Sequence, residues 1–484
     1  MSSTLESAAN SGSMRPLCVD LDGTLIKSDA LMDSFMLLVR SHPLDAARSP
    51  LWLRGGRAAF KAQVASRTTL DLDHLPWNRP LLEYLVAERA MGRRIFLATG
   101  ADRAVAQRIA DHLGIFDEVL ASNGTTNRTG KQKLLGLQQR FADQEFDYIG
   151  NAAPDGPVLA HCGESMVANP THSLRAQIRS GKVRVDRRFD DRAPMGRSLL
   201  RAIRLHQWAK NVLIFVPLML AHAFKLPLIL DTLLAFFCFS LCASATYIVN
   251  DLLDIEADRR HPKKRLRPFA AGDLSAGTGV AMVVLFLAAS FTGAALLPHV
   301  FIRWLIVYLV STLAYSLRLK RAVLLDVLLL SGLYTLRLLA GAGAADVRIS
   351  PWFAAFAIFL FLSLAIVKRF SELQNILATG GSLANGRGYV LSDIEQLRSF
   401  GTASGLAAVV IFARYINGGE MMGLYRHPNR MWLVMPLLIL WIFRIWLLAS
   451  RGELDEDPVI FAVTDTMSLL ICLTIAAVAA AATF

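Results

Sequence analysis

Cysteine is scarce in this chain. Five thiols stand among 484 residues, Cys18, Cys162, Cys238, Cys242 and Cys472, and their spacing matches no metal-ligand pattern. That argues against a disulfide framework or a thiolate-bound metal and suits a reducing compartment. Acidic residues are in deficit as well: 39 Asp and Glu against 51 Lys and Arg leave a net charge of +12. Such a surplus invites a nucleic-acid reading, yet the basic residues gather at the ends of apolar runs. That placement fits positive-inside topology and anionic lipid or phosphate ligands, so no nucleic-acid partner is expected. The chain also lacks the basic start and apolar core of a signal peptide; residues 1–13 are rich in Ser, Ala and Asn and read as a disordered terminus.

What the chain has in excess is apolar surface. Hydrophobic residues make up 54% and the mean hydropathy is +0.41, too apolar for an ordinary soluble protein. The excess is not uniform. Before residue 195 or so, short apolar runs alternate with polar helical stretches. Afterwards come about nine runs long enough to span a bilayer, near 211–228, 231–250, 277–297, 299–317, 323–343, 352–368, 402–417, 431–449 and 459–482. The expected architecture is multidomain: an N-terminal α/β domain with a parallel sheet over 14–194, a basic amphipathic linker on the membrane surface over 195–210, and an all-α polytopic membrane domain over 211–484. Arg259 to Arg267, Arg318, Lys320, Arg321, Lys368, Arg369, Arg387 and Arg398 fall in alternate loops, whereas Arg348, Arg426 and Arg430 fall in the others. This asymmetry puts the front domain and N-terminus inside, the C-terminus outside, in a cell membrane of the bacterial inner type.

The densest chemistry lies in Asn250-Asp251-Leu252-Leu253-Asp254-Ile255-Glu256-Ala257-Asp258, followed by Lys263, Lys264, Arg265 and Arg267. It begins where an apolar run stops, a costly place for ionisable groups. Asp251, Asp254 and Asp258, spaced three and then four apart, share one face of a helix. Three aligned carboxylates imply a counter-cation; their hard oxygens suit Mg2+, which in turn suits a substrate diphosphate. The basic run can hold phosphate oxygens. A charged cytoplasmic loop with no further role is the plain alternative.

The front domain carries a second pattern. Leu17-Cys18-Val19-Asp20-Leu21-Asp22-Gly23-Thr24 is an apolar strand ending in Asp-x-Asp-Gly-Thr, and two carboxylates at such a tip can divide nucleophilic and acid/base work. Arg94 to Gly100 is a second strand, ending in the Thr99 hydroxyl; Lys131 and Lys133 follow, and Phe146 to Asp155 is a third strand with polar groups past its tip. Over roughly 14–190 this resembles the haloacid dehalogenase (HAD) phosphatase superfamily. The resemblance implies Asp20 as the nucleophile, Asp22 as the acid/base, and Thr99 with Lys131 or Lys133 holding the transferring phosphoryl group. It also implies Asp155, with Asp20 and Asp22, binding Mg2+, and a small helical cap between 30 and 90. The chain departs from the family at Asn151, where an aspartate is common, which weakens metal affinity or activity; a fold-retaining, inactive domain is the alternative.

The membrane region, about 200–484, resembles the UbiA prenyltransferase superfamily through its Asn-Asp-x-x-Asp-x-x-x-Asp pattern. Most such members join a prenyl diphosphate to an aromatic ring and usually show a second motif, often Asp-x-x-x-Asp. Here Asp326 is followed four residues later by Leu330, so that motif is incomplete. Gln207 to Asn211, Asp258 to Pro268 and Leu364 to Glu372 are instead similar to the decaprenyl-phosphate phosphoribosyltransferase branch, which joins phosphoribosyl diphosphate to a polyprenyl phosphate. On that resemblance Asn250, Asp251, Asp254 and Asp258 hold Mg2+ and the leaving diphosphate. Lys264, Arg265 and Arg267 would serve one of the two other phosphates, and Lys210, Lys320, Arg321, Lys368 and Arg369 the other. Each of these cations has positive-inside anchoring as its ordinary role. Arg337, within a span, is expected to face a cavity or partner, and Asp465 to pair with a basic residue. His261, before Pro262, reads as a loop residue. Asn123-Gly124-Thr125 and Asn127-Arg128-Thr129 read as turns, and 380–388 as a linker. Three readings stay open: a phosphoribosyl transferase fused to a phosphatase, an aromatic prenyltransferase, and a transporter or anchor.

Overall fold

In the computed structural model of the chain, the residues described are 14–123, 128–142, 144–379, 388–418, 425–454 and 458–483. Gly124 and Thr125 of the first sequon-like turn, Asn127 of the second and most of the 380–388 linker fall outside them, as do residues 1–13. The chain forms two compact units: one holds the residues up to Ala202 together with Ile248–Ala281, the other Ile203–Tyr247 and Met282 onward.

The first unit is built on a parallel sheet of six strands: β1 (Leu17–Val19), β2 (Ile95–Asp102), β3 (Glu118–Ser122), β4 (Asp147–Gly150), β5 (Ser165–Ala168) and β6 (Arg187–Phe189), in the order β3-β2-β1-β4-β5-β6. Successive side chains of a strand point to opposite faces, and the cores obey that period. Leu17, Val19, Ile95, Leu97, Ile149 and Met166 join one apolar cluster; Cys18, Phe96, Tyr148 and Val167 join another. Both faces are therefore covered, which is why these strands read as continuous apolar runs. The strand order reverses between β1 and β4, whose Val19 and Ile149 are in register. Chains leaving those two strands diverge to opposite sides and leave a crevice at the carboxyl ends. Helices α1 (Ala30–Ser41), α2 (Pro43–Leu53) and α3 (Gly56–Ala65) form the expected cap, around Leu38, Ala46 and Val64.

The same unit contains the aspartate segment. The helix Leu226–Leu253 stops at Asp254, a short helix runs Ile255–Arg260, and a single 3-10 turn covers Lys264–Leu266 before the helix Ala276–Ala294 begins.

The second unit is helical. The chain has eight helices long and apolar enough to cross a membrane among the described residues: Leu226–Leu253, Ala276–Ala294, His299–Leu317, Leu325–Ala344, Pro351–Ala378, Leu391–Ile416, Pro428–Ser450 and Thr466–Thr483. Small residues let the second unit's helices approach closely. A Cβ on Gly341 would meet the Ile214 carbonyl at 2.1 Å, and one on Gly401 the Trp446 ring at 2.1 Å. Outward faces carry Val310, Val410 and Leu473, each at least 60% exposed, a cost in water that lipid removes. This is a multi-pass membrane protein. Two of the runs expected to span differ from the others. Residues 211–228 do not form one long helix: a 3-10 segment, Leu205–Phe215, leads into the short helix Val216–Leu220. The last run is cut at Asp465, which caps the second piece by accepting from the Ser468 N–H at 2.7 Å.

Candidate active sites

At the carboxyl ends of β1 and β4 the front domain gathers three expected residues. Lys133 Nζ lies 2.9 Å from Asp20 Oδ1 and 2.9 Å from Asp155 Oδ1, and all three side chains are buried. The Tyr148 hydroxyl also donates to Asp155 Oδ1, at 2.8 Å, and the Asn151 and Ala152 N–H groups donate to its Oδ2, at 3.1 Å each. Burial raises Asp20 to about 6 against the pull of Lys133. Burial would raise Asp155 too, but Lys133 and the backbone donors hold it below the ordinary carboxylate range. Asp22 is pushed well above that range by burial and by Asp29, which suits a proton donor. Its Oδ1 accepts from the Ala30 N–H at 2.7 Å. Gly23 adopts φ +74, and a Cβ there would meet the Asn151 amide at 1.9 Å, so the turn needs glycine on both counts. Of the two candidate lysines the structure brings Lys133 to Asp20; Lys131 is exposed at the start of helix Lys131–Phe141. Thr99 is fully buried, its Oγ1 accepting from the Ala101 N–H at 3.0 Å.

Asp20, Asp22, Lys133 and Asp155 border a cavity of about 380 Å³, enough for a small phosphate ester; Thr99 and Lys131 are not on its wall. Among the wall residues that sequence reasoning missed are Lys27, Lys61, Arg192 and Ser275. Lys61, on α3, donates to the Gly100 carbonyl at 2.5 Å. Its helix carries no motif, so nothing but the fold could nominate it.

The aspartate segment is folded differently from a single helix. Asp251 closes one helix, Asp254 sits at the break and Asp258 lies on the next. Asp251 and Asp258 nevertheless face one point. Arg267 Nη1 lies 3.1 Å from Asp251 Oδ1 and 2.7 Å from Asp258 Oδ2. Asp254 turns elsewhere, its Oδ1 3.2 Å from Arg40 Nη1. Both Asp251 and Asp258 are buried. His261 Nδ1 accepts from the Lys263 and Lys264 N–H groups at 3.2 and 3.3 Å, a loop-closing role as expected. Arg265 is exposed; Asn250 and Lys264 are half-buried. Among the described residues, no group of three or more His, Cys, Asp or Glu side chains gathers closely enough to hold a metal ion. Mg2+ commonly takes one or two carboxylates plus substrate phosphates. A pair of oxygens already converging on one cationic nitrogen fits that donor set.

The second unit holds the remaining candidates. Arg369 is committed to protein partners: Nε donates to Asp326 Oδ2 at 2.6 Å, Nη1 to both Glu372 oxygens at 2.9 and 2.8 Å, and Nη2 to the Tyr315 hydroxyl at 3.0 Å. Asp326 also accepts from the Tyr389 hydroxyl at 2.5 Å and is fully buried. An arginine so enclosed structures the helices, with four of its N–H donors committed to Asp326, Glu372 and Tyr315. Lys210 is buried, with its Nζ 5.7 Å from the centre of the Tyr334 ring. Arg337 lies over the other rings of this cluster, Phe239 and Tyr308, and over Tyr334, and donates to Asn211 Oδ1 at 2.8 Å. Lys320 and Lys368 are half-buried and Arg321 exposed. Asp465 pairs with Arg444, at 2.6 and 3.0 Å.

The UbiA prenyltransferase family matches residues 212–463. Protein y4nM of Sinorhizobium fredii is 38% identical over 461 residues, 94% of this chain and 89% of that one. Nodulation protein NoeC of Azorhizobium caulinodans is 35% identical over 278 residues, 57% of this chain and 90% of that one. Decaprenyl-phosphate phosphoribosyltransferase of Mycobacterium tuberculosis is 33% identical over 219 residues, 44% of this chain and 72% of that one. Among solved structures, a UbiA homolog from Archaeoglobus fulgidus bound to GPP and Mg2+ has a TM-score of 0.45 at 19% identity, covering 58% of this chain and 99% of the other. A HAD family hydrolase from Salmonella enterica has a TM-score of 0.27 at 16% identity, covering 34% of this chain and 66% of the other. The front domain has the parallel sheet expected of it, with Asp20 just past β1 and Asp155 past β4 at the same end. With more than half its length matched and a relative aligned almost end to end, the chain belongs to the UbiA prenyltransferase family.

Proposed function

We propose that the membrane domain transfers a phosphoribosyl group from phosphoribosyl diphosphate to a polyprenyl phosphate, and that the front domain then removes the 5-phosphate. The observation that carries this reading is the 33% identity to a decaprenyl-phosphate phosphoribosyltransferase over 72% of that enzyme. In the transfer step a lipid phosphate oxygen bonds to ribose C1 as the C1–O bond to diphosphate breaks. A phosphate monoester is already ionised, so no strong base is needed. Asp251 and Asp258, with Asn250 and Asp254 beside them, would hold Mg2+, which supplies charge neutralisation for the departing diphosphate. Arg267, a quarter exposed on a loop, is suited to exchange its carboxylates for phosphate oxygens. Lys210, Lys264, Arg265, Lys320, Arg321 and Lys368 remain candidate phosphate contacts.

In the front domain, Asp20 would attack the 5-phosphorus while Asp22 gives its proton to the leaving ribose oxygen; water activated by Asp22 then releases phosphate. Asp20 and Asp155, whose oxygens meet at Lys133, would hold Mg2+ there together with the substrate phosphate; Asp22 does not gather with them into a three-carboxylate site. A phosphatase on the same chain meets the lipid product at high effective concentration. The alternative, an aromatic prenyltransferase, is disfavoured by Asp326. Asp326 is buried between Arg369 and Tyr389 and is followed four residues later by Leu330, so the second aspartate motif is incomplete.

The test is incubation of membranes with labelled phosphoribosyl diphosphate and polyprenyl phosphate, followed by lipid extraction. Wild-type protein is expected to give lipid-linked ribose, and Asp20→Asn to give the 5-phosphorylated lipid instead. Label that reaches lipid only from a prenyl diphosphate, with a hydroxybenzoate acceptor, would establish the alternative. For orientation we propose a cytoplasmic front domain. A cysteine placed among residues 259–267 should then be modified only from the cytoplasmic side, and one at 426–428 only from outside; modification of both from one side overturns it.

A further inference from the structure

Helix α1 touches both carboxylate sites within the first unit. At its start the Ala30 N–H donates to Asp22 Oδ1. Asp33, Met36, Leu37 and Arg40 follow at i, i+3, i+4 and i+7, which places them on one stripe of the helix. The stripe meets the aspartate segment. Asp33 Oδ2 lies 2.8 Å from Arg259 Nη1, both side chains only 5% exposed. Met36 and Leu37 line a groove with Leu252, Leu253 and Ile255. Arg40 Nη1 ends the stripe, 3.2 Å from Asp254 Oδ1 and 3.5 Å from the Leu253 carbonyl. Other contacts tie the same two regions. Arg260 pairs with Asp71 at 2.6 Å, Asp273 accepts from the Ala193 N–H at 3.1 Å, and Gly272 lies so close to Lys27 that a Cβ would meet its Cβ at 2.6 Å.

A charge–apolar–apolar–charge stripe with a buried ion pair at one end fixes register as well as adhesion. Its far end lands on the one aspartate of the motif that Arg267 does not hold. We propose that Arg40 is a positioning residue for the transferase, supplied by the front domain: it orients the Asp254 carboxylate at the break between the two helices. The front domain is then part of the transfer machinery in addition to its own chemistry. This rests on the transferase reading of the Asp251–Asp258 segment.

The test uses the full chain in lipid nanodiscs and four proteins: wild type, Arg40→Ala, Arg40→Lys and, as control, Arg48→Ala. Arg48 pairs with Asp45 on α2, at 3.7 Å. Amide hydrogen exchange of residues 254–260, measured without Mg2+, is expected to quicken about fivefold or more in Arg40→Ala when the local contact is lost. Phosphoribosyl transfer should lose about tenfold or more in kcat, the scale of a misplaced reacting group, with KM for phosphoribosyl diphosphate nearly unchanged. Because a single nitrogen makes the contact, Arg40→Lys should recover most of the rate, and Arg48→Ala should match wild type in both measurements. Unchanged exchange and unchanged kcat in Arg40→Ala overturn the proposal. Quickened exchange with normal kcat, or no recovery by lysine, reduces the stripe to docking and also overturns it. A wild-type chain that transfers no phosphoribosyl label refutes the transferase reading itself, before any variant is compared.

Discussion

Two pairs of buried carboxylates in this protein are each bridged by one cationic nitrogen, and they are built in opposite ways. Asp20 and Asp155 stand past the ends of different strands and are joined by Lys133 from a helix; the three span more than a hundred residues and are all buried. Asp251 and Asp258 lie one helical break apart and are joined by Arg267, nine residues on and a quarter exposed. The first bridge is locked by the fold. Lys133 has tertiary partners on three sides, counting the Tyr148 hydroxyl at 2.9 Å. The second is local, and its cation sits on a loop with a route to solvent. A fixed lysine suits a site that handles one phosphoryl group at a constant place. A loop arginine suits a site that must take in a diphosphate and let it go.

The sharpest way to break this comparison is to remove a carboxylate from the local pair. Asp251→Ala should lower label transfer to lipid by about 10²–10³-fold, the scale for losing electrostatic stabilisation of a leaving group, while the chain stays in the membrane. Retention of near-normal transfer would show that the assigned segment is not the transferase site.

The locked pair should respond in rate, pH dependence and stability together. Lys133→Met leaves Asp20 and Asp155 buried without their counter-cation. Dephosphorylation of the lipid should fall by about 10²-fold or more. Asp20 must be ionised to attack, and burial already raises it to about 6 with Lys133 opposing. Without Lys133 the proton is held more tightly, so residual activity should appear only at higher pH than in wild type. A pH–rate profile of each protein checks the direction. An acid limb that moves down, or does not move, would remove Lys133 from the site.

How much of this was legible depended on how local each relation is. The strand tips at Asp20 and Gly150 and eight of the nine spans followed from apolar runs and turn residues, because those signals lie within a few neighbouring positions. The aspartate spacing likewise pointed to one face, and Asp251 and Asp258 do converge; the break at Asp254 was hidden, and Arg40, which that residue meets, stands more than two hundred positions away. Residues 211–228 have the hydropathy of a span but begin on a 3-10 path that leads into the short helix Val216–Leu220, and hydropathy does not distinguish the two. Arg369 read as a phosphate contact because positive-inside loops and phosphate sites use the same residue. Its real partners, Asp326 and Tyr315, come from other helices.

That correction gives a prediction on stability. Arg369→Met strands Asp326, which is fully buried, and breaking a buried pair from one side costs about 3–5 kcal/mol. Thermal unfolding of the detergent-solubilised protein should drop by several degrees or folded yield should fall. The protein that does fold should keep a near-normal KM for phosphoribosyl diphosphate. A large rise in KM with unchanged stability would return Arg369 to the substrate.

The smallest expected effect is at Lys131, and it isolates what the fold adds to the sequence. Lys131 and Lys133 are two residues apart, which on a helix is about 200° of rotation, so the two side chains point to nearly opposite faces. Either fits the spacing of the phosphatase pattern, and no reading of the chain alone fixes the helix's rotation against the sheet. The structure does: Leu134, Leu137 and Phe141 pack on the sheet side with Lys133, which turns Lys131 to solvent. Lys131→Ala should therefore change the dephosphorylation rate less than about twofold and leave stability within about 0.5 kcal/mol, the usual range for an exposed position. The comparison with Lys133→Met is made on the same preparation. A loss at Lys131 as large as that at Lys133 would mean that the helix Lys131–Phe141 is rotated in the working enzyme.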